Sequence, residues 1–527
     1  MDETLKAKVG QMFMVGFEGE GPSDPLLRLI QEYHIGGIVL FGRNVQTPAQ
    51  VKELIEQLQG CARRAGANLP LLVAIDQEGG IVTRLTRGFT IFPGNMALGA
   101  IDSEELAGRV GEVMAREMVA MGINMNLAPV LDIHTRKENP GVGVRAYGDT
   151  PGLVARMGVA VLKAYQRSGI IATAKHFPGI GDADADTHLG LPSISHSRER
   201  LASVELYPFV AAIQAGVKAI MTSHVCFPAL EPDPQLPATL SRSITETLLR
   251  RDLGFEGVVV TDDLEMGAIL KHFNLAEAVV RAVEAGADLL LICRDYQRQI
   301  EGLEGLYRAV ETGRIQKDRL SASFQRILNV KRELSLTPKS QPSTGEAIQR
   351  VGTVGHRKMA YEVARRAVTL VRDREGLIPL NLSRHRPLGA FYPKVFSLTQ
   401  VEEGPQPVTL LSELRQRYPN ALGFEFDTEP SPDQIRAACS VGKEVDLIVI
   451  ASYNSHLKPL QKQLIQGLTT LHKPMVLMAL RNPYDIGEFP EIGTCLALYD
   501  YHKASIVAGV QVLLGDVQAE GALPCRL

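Results

Sequence analysis

The 527-residue chain contains no tryptophan and has no strong excess of charge of either sign. Long glycan grooves commonly stack sugar rings on indole, so the lack of tryptophan disfavours a groove of that kind. The formal net charge is −3, which predicts no strong attraction to nucleic acid or to an anionic membrane. No apolar run approaches the length of a bilayer-spanning helix.

The amino-terminal segment also lacks the pattern of a signal peptide. Its first ten residues contain neither the basic nor the apolar stretch of a signal peptide, so we expect a cytoplasmic protein. The six cysteines are scattered without the spacing of a metal site, which favours buried free thiols over disulfides. We expect no metal and no other cofactor, and the sequence leaves the oligomeric state open.

Short apolar runs alternate with longer amphipathic runs through the first 330 or so residues. The amphipathic runs include 50–64 and 103–121. This alternation predicts a parallel sheet with helices outside it, and about eight such units predict a (β/α)8 TIM-type barrel. The predicted strands are 12–15, 37–41, 71–76, 124–129, 172–176, 219–224, 257–262 and 288–293.

A polar, proline-containing stretch follows the barrel pattern, and we interpret it as a linker. We expect a catalytic barrel at 1–334, a linker at 335–348 and a smaller α/β sandwich domain at 349–527, with an open three-layer sheet. The predicted strands of this second domain are 368–371, 447–451, 476–480 and 496–499.

The most informative segment is a long loop that contains Asp186 and His188. A carboxylate two residues before a histidine can turn back and bond the imidazole. That bond orients the ring and raises its basicity, as a general acid/base near neutral pH requires. The alternative is a polar loop with a chance Asp-x-His pattern.

Polar and charged residues also follow four of the predicted barrel strands. The strand ends of a barrel converge on one mouth, where catalytic groups gather, whereas a single polar strand end can simply meet solvent. Polar residues at the ends of four strands favour a catalytic or binding site at the barrel mouth over four strand ends that simply meet solvent. They are Asp76-Gln77-Glu78-Gly79-Gly80 with Arg84, Lys175-His176, His224, and Asp262-Asp263.

Three segments together resemble family 3 glycoside hydrolases, in the branch of β-N-acetylglucosaminidases that carry an Asp-x-His dyad. The resemblance covers the barrel and extends more weakly to the second domain, through 481–485 and 521–524. The three segments are Lys-His-Phe-Pro-Gly…Asp-Thr-His from Lys175, Asp-Gln-Glu-Gly-Gly…Arg from Asp76, and Thr-Asp-Asp-Leu-Glu-Met from Thr261. Ile180 departs from the family pattern, which usually has a histidine there, and this puts loop packing or leaving-group preference in question.

The resemblance implies roles for individual residues. Asp262 would be the nucleophile, His188 the acid/base, and Asp186 the residue that orients His188. Asp263 would be a neighbouring structural carboxylate. Five residues match sugar-binding positions of the family, namely Asp76, Arg84, Arg145, Lys175 and His176. A salt bridge between Lys175 and Asp76 at the barrel mouth is the alternative to sugar binding by these two.

The function that follows is that of a retaining exo-β-N-acetylglucosaminidase acting through a glycosyl-aspartate intermediate. Its partner would be a small glycan with a terminal non-reducing N-acetylglucosamine, either a muropeptide from cell-wall recycling or a chitooligosaccharide. Two alternatives stay open. An uncharged histidine acid/base would also admit phosphate as the acceptor, giving an N-acetylglucosaminide phosphorylase. A barrel that had lost turnover would be a sugar-binding protein.

Overall fold

Eight parallel strands close into a barrel, each hydrogen-bonded to two neighbours. The computed structural model describes residues 3–65, 69–185, 190–336, 342–381, 387–395 and 408–527. The barrel strands are β1 (Phe13–Val15), β2 (Gly37–Leu40), β3 (Leu72–Ile75), β4 (Met125–Asn126), β5 (Ile171–Phe177), β6 (Ala219–Thr222), β7 (Val258–Asp263) and β8 (Leu289–Ile292). Their continuous apolar runs are buried, as expected for a parallel sheet covered on both faces.

Helices follow most of these strands, and several begin at residues suited to cap them. Ser103 accepts a hydrogen bond from the Leu106 amide at 3.3 Å, and Thr47 accepts one from the Gln50 amide at 3.2 Å. A π-helix spans Ser243–Asp252. The α-helices of the barrel are Glu3–Gln11, Asp24–Glu32, Pro48–Arg64, Asn95–Ile101, Glu104–Met121, Pro151–Arg167, Arg198–Ser203, Tyr207–Gln214, Gly267–Leu270, Leu275–Ala285, Tyr296–Glu311 and Lys317–Leu336.

The second domain is built on a mixed six-stranded sheet in the order β9-β14-β13-β12-β10-β11, with only β9 antiparallel to its neighbour. Its strands are β9 (Thr369–Asp373), β10 (Leu388–Lys394), β11 (Glu425–Asp427), β12 (Leu447–Ser452), β13 (Met475–Ala479) and β14 (Thr494–Ala497). The α-helices after residue 342 are Thr344–Gln349, Val354–Ala367, Leu410–Arg417, Pro432–Lys443, Pro459–Thr469 and Lys503–Leu514.

The predicted fold class is confirmed, both for the barrel and for the smaller α/β domain. All eight predicted barrel strands overlap observed strands, although β4 is much shorter than predicted. The proposed boundaries at 334 and 349 stay a prediction. A helix, Thr344–Gln349, begins inside the proposed linker range.

The two domains share apolar and polar contacts. The apolar core of the second domain takes in barrel side chains, including Val82 and Val144. The Glu117 carboxylate, on a barrel helix, accepts hydrogen bonds from the Gly352 amide at 2.9 Å and from His356 Nδ1 at 2.7 Å. These contacts fix the second domain against the side of the barrel that carries these residues.

All six cysteines are free thiols, and five of them are buried. Within the described ranges, no helix is both long enough and apolar enough to cross a bilayer.

Candidate active site

One cavity lies at the carboxyl ends of the barrel strands, and it measures about 1140 Å³ including its open mouth. The cavity brings together six of the eight predicted site residues: Asp76, Arg84, Arg145, Lys175, His176 and Asp262. The other two, Asp186 and His188, lie outside the described residues. Ala185, which precedes them in the sequence, lines the cavity.

A chain of opposite charges crosses the floor of this cavity. Lys175 Nζ lies 2.6 Å from Asp76 Oδ1 and 2.8 Å from Glu78 Oε1. The Arg145 guanidinium binds Glu78 through two parallel bonds, with Nε to Oε2 at 2.9 Å and the second nitrogen to Oε1 at 2.8 Å. This bidentate geometry is the strongest form of the arginine–carboxylate interaction.

Neighbouring charges keep Glu78 and Lys175 ionised despite their burial. Burial raises the pKa of Glu78, but Arg145 and Lys175 outweigh it and hold that pKa below its usual range. Burial lowers the pKa of Lys175, but Asp76 and Glu78 outweigh it and raise that pKa above its ordinary value. The salt bridge between Lys175 and Asp76 is therefore present, and both residues also face the cavity.

His176 is held by a buried carboxylate. Its Nδ1 lies 2.7 Å from Asp132 Oδ2, and its backbone amide donates to Asp132 Oδ1 at 3.2 Å. Because the carboxylate accepts a hydrogen bond from Nδ1–H, Nε2 of a neutral ring is left as an acceptor for a ligand hydroxyl. Asp132 Oδ1 also accepts the Ile180 amide at 2.8 Å, so the same carboxylate anchors the start of the loop.

Asp262 and Asp263 end strand β7 at the cavity. The Asp263 amide donates to Asp262 Oδ1 at 2.8 Å, and Asp263 Oδ1 accepts from the amides of Glu265 at 3.1 Å and Cys293 at 3.2 Å. Burial, followed by the negative charge of Glu265, raises the pKa of Asp263 to about 7. The two neighbouring carboxyl groups thus have different surroundings, and Asp263 is tied to the backbone of the adjacent chain segments.

His224, which follows β6, supports this strand end from the side. Its Nε2 donates to the Asp263 carbonyl at 2.9 Å, and its Nδ1 lies 2.9 Å from the Thr239 hydroxyl. A carbonyl can only accept, so the ring proton must be on Nε2. His224 is fully buried, and its role in this geometry is to hold the backbone next to Asp262.

Sequence reasoning did not assign two carboxylates that the structure places at the centre of this arrangement. Glu78 lies in a segment that the sequence singled out, but its partners Arg145 and Lys175 are far from it along the chain. Asp132 follows the apolar stretch 127–131 after β4. An acid directly after an apolar strand was the signal used at the other strand ends, and it could have found Asp132 as well.

Ile180, where the family usually has a histidine, packs at the edge of the cavity and is 8% exposed. Its carbonyl accepts a hydrogen bond from Asn139 Nδ2 at 2.8 Å. The backbone of this position is therefore fixed on both sides, although its side chain offers no polar group.

Among the residues that the structure describes, no group of three or more histidine, cysteine or acidic side chains could hold a metal ion. The predicted lack of a metal and of any other cofactor stays a prediction.

Comparison with known proteins connects this geometry to a family. Residues 4–330 match the model of the glycosyl hydrolase family 3 N terminal domain. A Beta-hexosaminidase A from Pseudoalteromonas piscicida is 33% identical, over 95% of this chain and 90% of its own length. A Beta-hexosaminidase from Nitrosomonas eutropha is 36% identical over 54% of this chain and 81% of its own length.

Solved structures extend the likeness to the whole chain. A glycoside hydrolase family 3 β-N-acetylglucosaminidase from Paenibacillus sp. str. FPU-7 superposes with a TM-score of 0.93 and 41% identity, and the match covers 99% of both chains. The matched family model spans more than half of the chain, and the Paenibacillus structure superposes over both of its domains. The chain therefore belongs to glycoside hydrolase family 3.

Proposed function

We propose that the protein is a retaining exo-β-N-acetylglucosaminidase that releases terminal non-reducing N-acetylglucosamine from small glycans. The observation that carries the proposal is the convergence of Asp76, Lys175, His176 and Asp262 in one cavity at the barrel mouth. Similarity to the Paenibacillus β-N-acetylglucosaminidase over the whole chain supports the choice of sugar. Muropeptides or chitooligosaccharides in the cytoplasm are the proposed substrates.

Sugar hydroxyls have matching partners in this cavity. Asp76 accepts hydrogen bonds from adjacent hydroxyls, while the Lys175 ammonium donates to a hydroxyl oxygen. Nε2 of His176 accepts one more, because its Nδ1 is held by Asp132. The charge chain to Glu78 and Arg145 keeps Lys175 in place, so the ring is bound by groups that need no rearrangement.

The chemistry proceeds in two displacements. The Asp262 carboxylate attacks the anomeric carbon, and the bond to the leaving oxygen breaks as His188 protonates that oxygen, leaving a glycosyl ester on Asp262. His188 then takes a proton from water, whose oxygen attacks the anomeric carbon and releases the Asp262 carboxylate. Asp186 orients His188 and stabilises its protonated form.

A panel of aryl β-glycosides of N-acetylglucosamine, glucose and xylose, assayed with and without phosphate, tests the proposal. We expect the N-acetylglucosaminide to turn over fastest and free N-acetylglucosamine to be the product under both conditions. Formation of the 1-phosphate would indicate a phosphorylase, and binding without turnover would indicate a sugar-binding protein. Faster cleavage of the glucoside or xyloside would overturn the proposed specificity.

The dyad has its own test. Asp186→Asn is expected to lower kcat with little change in KM and to shift the pH optimum downward, because an amide cannot raise the basicity of the imidazole. His188→Ala is expected to slow substrates with poor leaving groups by about 10²–10⁴ and to spare the first step of a dinitrophenyl glycoside. A defect of Asp186→Asn in KM alone would assign Asp186 to substrate binding.

A further inference from the structure

An amide side chain of the second domain bonds the backbone beside Arg145, a residue that lines the cavity. Asn482 Oδ1 accepts a hydrogen bond from the Val144 amide at 3.0 Å, and Asn482 is fully buried. Val144 lies in the short helical turn Gly143–Arg145 of the barrel. A Cβ at Gly143 would lie 2.5 Å from the same Asn482 oxygen, so glycine is needed for this close approach.

Apolar packing ties the same part of the barrel to the second domain a second time. The side chains of Val144 and Val82 both belong to the apolar core of the second domain. Val82 lies in a two-stranded hairpin whose other strand is Gln77–Gly79. Two separate barrel segments, one before Arg145 and one after Glu78, are therefore anchored in the second domain.

These two segments carry the two partners of the bidentate ion pair. Arg145 directly follows Val144, and its side chain binds both oxygens of Glu78. Glu78 in turn binds Lys175, which binds Asp76. A shift of Arg145 would therefore be transmitted along a continuous set of charged contacts to the residues that face the ligand.

We propose that Asn482 of the second domain is a positioning residue for ligand binding, acting through the Val144 amide on Arg145 and Glu78. Asn482 touches no substrate in this proposal. Its contribution is to fix the backbone from which Arg145 extends, so that Glu78 and Lys175 keep their places. The kinetic part of the test rests on the proposed glycosidase function, and the hydrogen-exchange part does not.

The kinetic test compares Asn482→Ala, Asn482→Asp and Glu488→Gln with the wild type on the aryl N-acetylglucosaminide. Aspartate keeps the acceptor oxygen, whereas alanine removes it. Glu488 is the matched control, because it also bonds the barrel, through Lys137 Nζ at 3.5 Å, and its hydrogen-bond partners among the described residues, Lys137 and Lys462, lie outside the turn Gly143–Arg145. We expect alanine to raise KM by roughly tenfold with a smaller change in kcat, since ground-state and transition-state binding are lost together.

A near-normal KM in Asn482→Asp and in the control Glu488→Gln distinguishes a positioning role of Asn482 from a loss of stability. We expect Asn482→Asp and Glu488→Gln to stay within about threefold of the wild-type KM, a change of about 0.7 kcal/mol or less, whatever their melting temperatures. Asn482→Ser, whose hydroxyl is too short to reach Val144, replaces the alanine variant if that variant does not fold. An unchanged KM in the alanine or serine variant, or an equal rise in either control, would overturn the proposal.

Hydrogen exchange of the peptide containing Val144 gives a readout that needs no substrate. The Val144 amide is expected to exchange at least about tenfold faster in Asn482→Ala than in the wild type or in Asn482→Asp, because its acceptor is gone. Equal protection in all three proteins would overturn the proposal. A wild type that cleaves no glycoside of the panel would count against the proposed function alone, and the exchange result would still decide the role of Asn482.

Discussion

The Asp262 carboxylate lies where a buried strand ends in the cavity, beside a second carboxyl group, Asp263, that is bonded to backbone amides. We expect Asp262→Ala to abolish covalent labelling by a 2-fluoro or 5-fluoro N-acetylglucosaminide analogue and to reduce kcat by several orders of magnitude. Asp263→Asn, the matched control, should still be labelled because its amide oxygen can keep the backbone contacts. Peptide mass mapping identifies the labelled residue, and a label on Asp263 would refute the assignment.

Asp263 also predicts a pH dependence of stability. Its pKa in the folded protein is raised to about 7, compared with about 4 in an unfolded chain. Between these values the folded state retains a proton that the unfolded state has released. The contribution of Asp263 to stability therefore falls as the pH rises from about 4 to about 7.

Asp263→Asn removes this titration. The free energy of unfolding of the variant, relative to wild type, is therefore expected to be higher at pH 8 than at pH 5. Urea titrations of both proteins at the two pH values measure this difference. A difference that is constant or that shrinks with pH would show that the Asp263 pKa is not raised in the folded state.

Site residues could be predicted from the sequence where the pattern that marks them lies in the residues next to them. Lys175, His176 and Asp262 directly follow apolar runs, near the carboxyl ends of β5 and β7, and the barrel architecture then brings those strand ends together. Glu78 and Asp132 were not assigned because their importance comes from partners that are distant in sequence. No local pattern states that Glu78 will be shared between Arg145 and Lys175.

At the scale of elements, β4 is the shortest strand of the barrel, and side-chain amides supplement its pairing. Asn124 bridges to β3 by accepting the Val73 amide at 2.8 Å and donating to the Leu71 carbonyl at 3.0 Å. Asn126 makes the equivalent pair of bonds to the Gln77 amide and carbonyl, at 3.0 and 2.9 Å. Asn124, just before β4, and Asn126, its last residue, thus bond the two ends of β4 to the chain segment 71–77.

Alanine at 124 removes the acceptor of the Val73 amide, while the Leu71 carbonyl keeps Gln59 Nε2 at 2.9 Å, and alanine at 126 removes the side-chain partner of both Gln77 backbone groups. We expect each substitution to lower the free energy of unfolding by about 1–3 kcal/mol. Only Asn126 lies at the cavity end, next to the segment that carries Glu78. Asn126→Ala should therefore also raise KM, while Asn124→Ala should not. Chemical denaturation and steady-state kinetics on both variants check this, and equal kinetic effects would contradict the assignment of Asn126 to the site.

Strand positions were predictable from sequence because most barrel strands are short runs of apolar residues. Two strands of the second domain, β10 and β11, were not predicted. Strand β10 contains a glycine and a proline, which weaken the strand signal, and β11 has only three residues. Strand β4 is shorter than the predicted 124–129, although backbone hydrogen bonds to the neighbouring strands continue past Asn126, as from the Leu127 amide to the Ile75 carbonyl at 2.8 Å.

At the scale of the whole molecule, the Glu117 carboxylate joins the barrel to the start of the second domain. Besides Gly352 and His356, it accepts the Thr90 amide at 3.0 Å and the Thr90 hydroxyl at 2.6 Å. Glu117→Ala would leave these groups unpartnered in a buried place. We expect it to lower the free energy of unfolding by about 3 kcal/mol without changing kcat/KM of the folded enzyme.

The matched control is Glu112→Ala on the same helix. Glu112 is 37% exposed and its ion pairs with Arg116 and Arg167 are on the surface, so a loss below about 1 kcal/mol is expected. Chemical denaturation measures both variants. Similar losses in the two would show that the buried carboxylate does not join the domains more strongly than a surface pair does.

The contact between Asn482 and Val144 has a consequence for exchanging domains between related enzymes. A chimaera cut at the linker would bring a foreign loop partner to Val144 while keeping the native turn Gly143–Arg145. The transferable module is therefore discontinuous: it consists of the second domain together with the barrel segments around Val82 and Val144. A recombination library that moves these pieces together is expected to retain ligand affinity more often than one that moves the second domain alone.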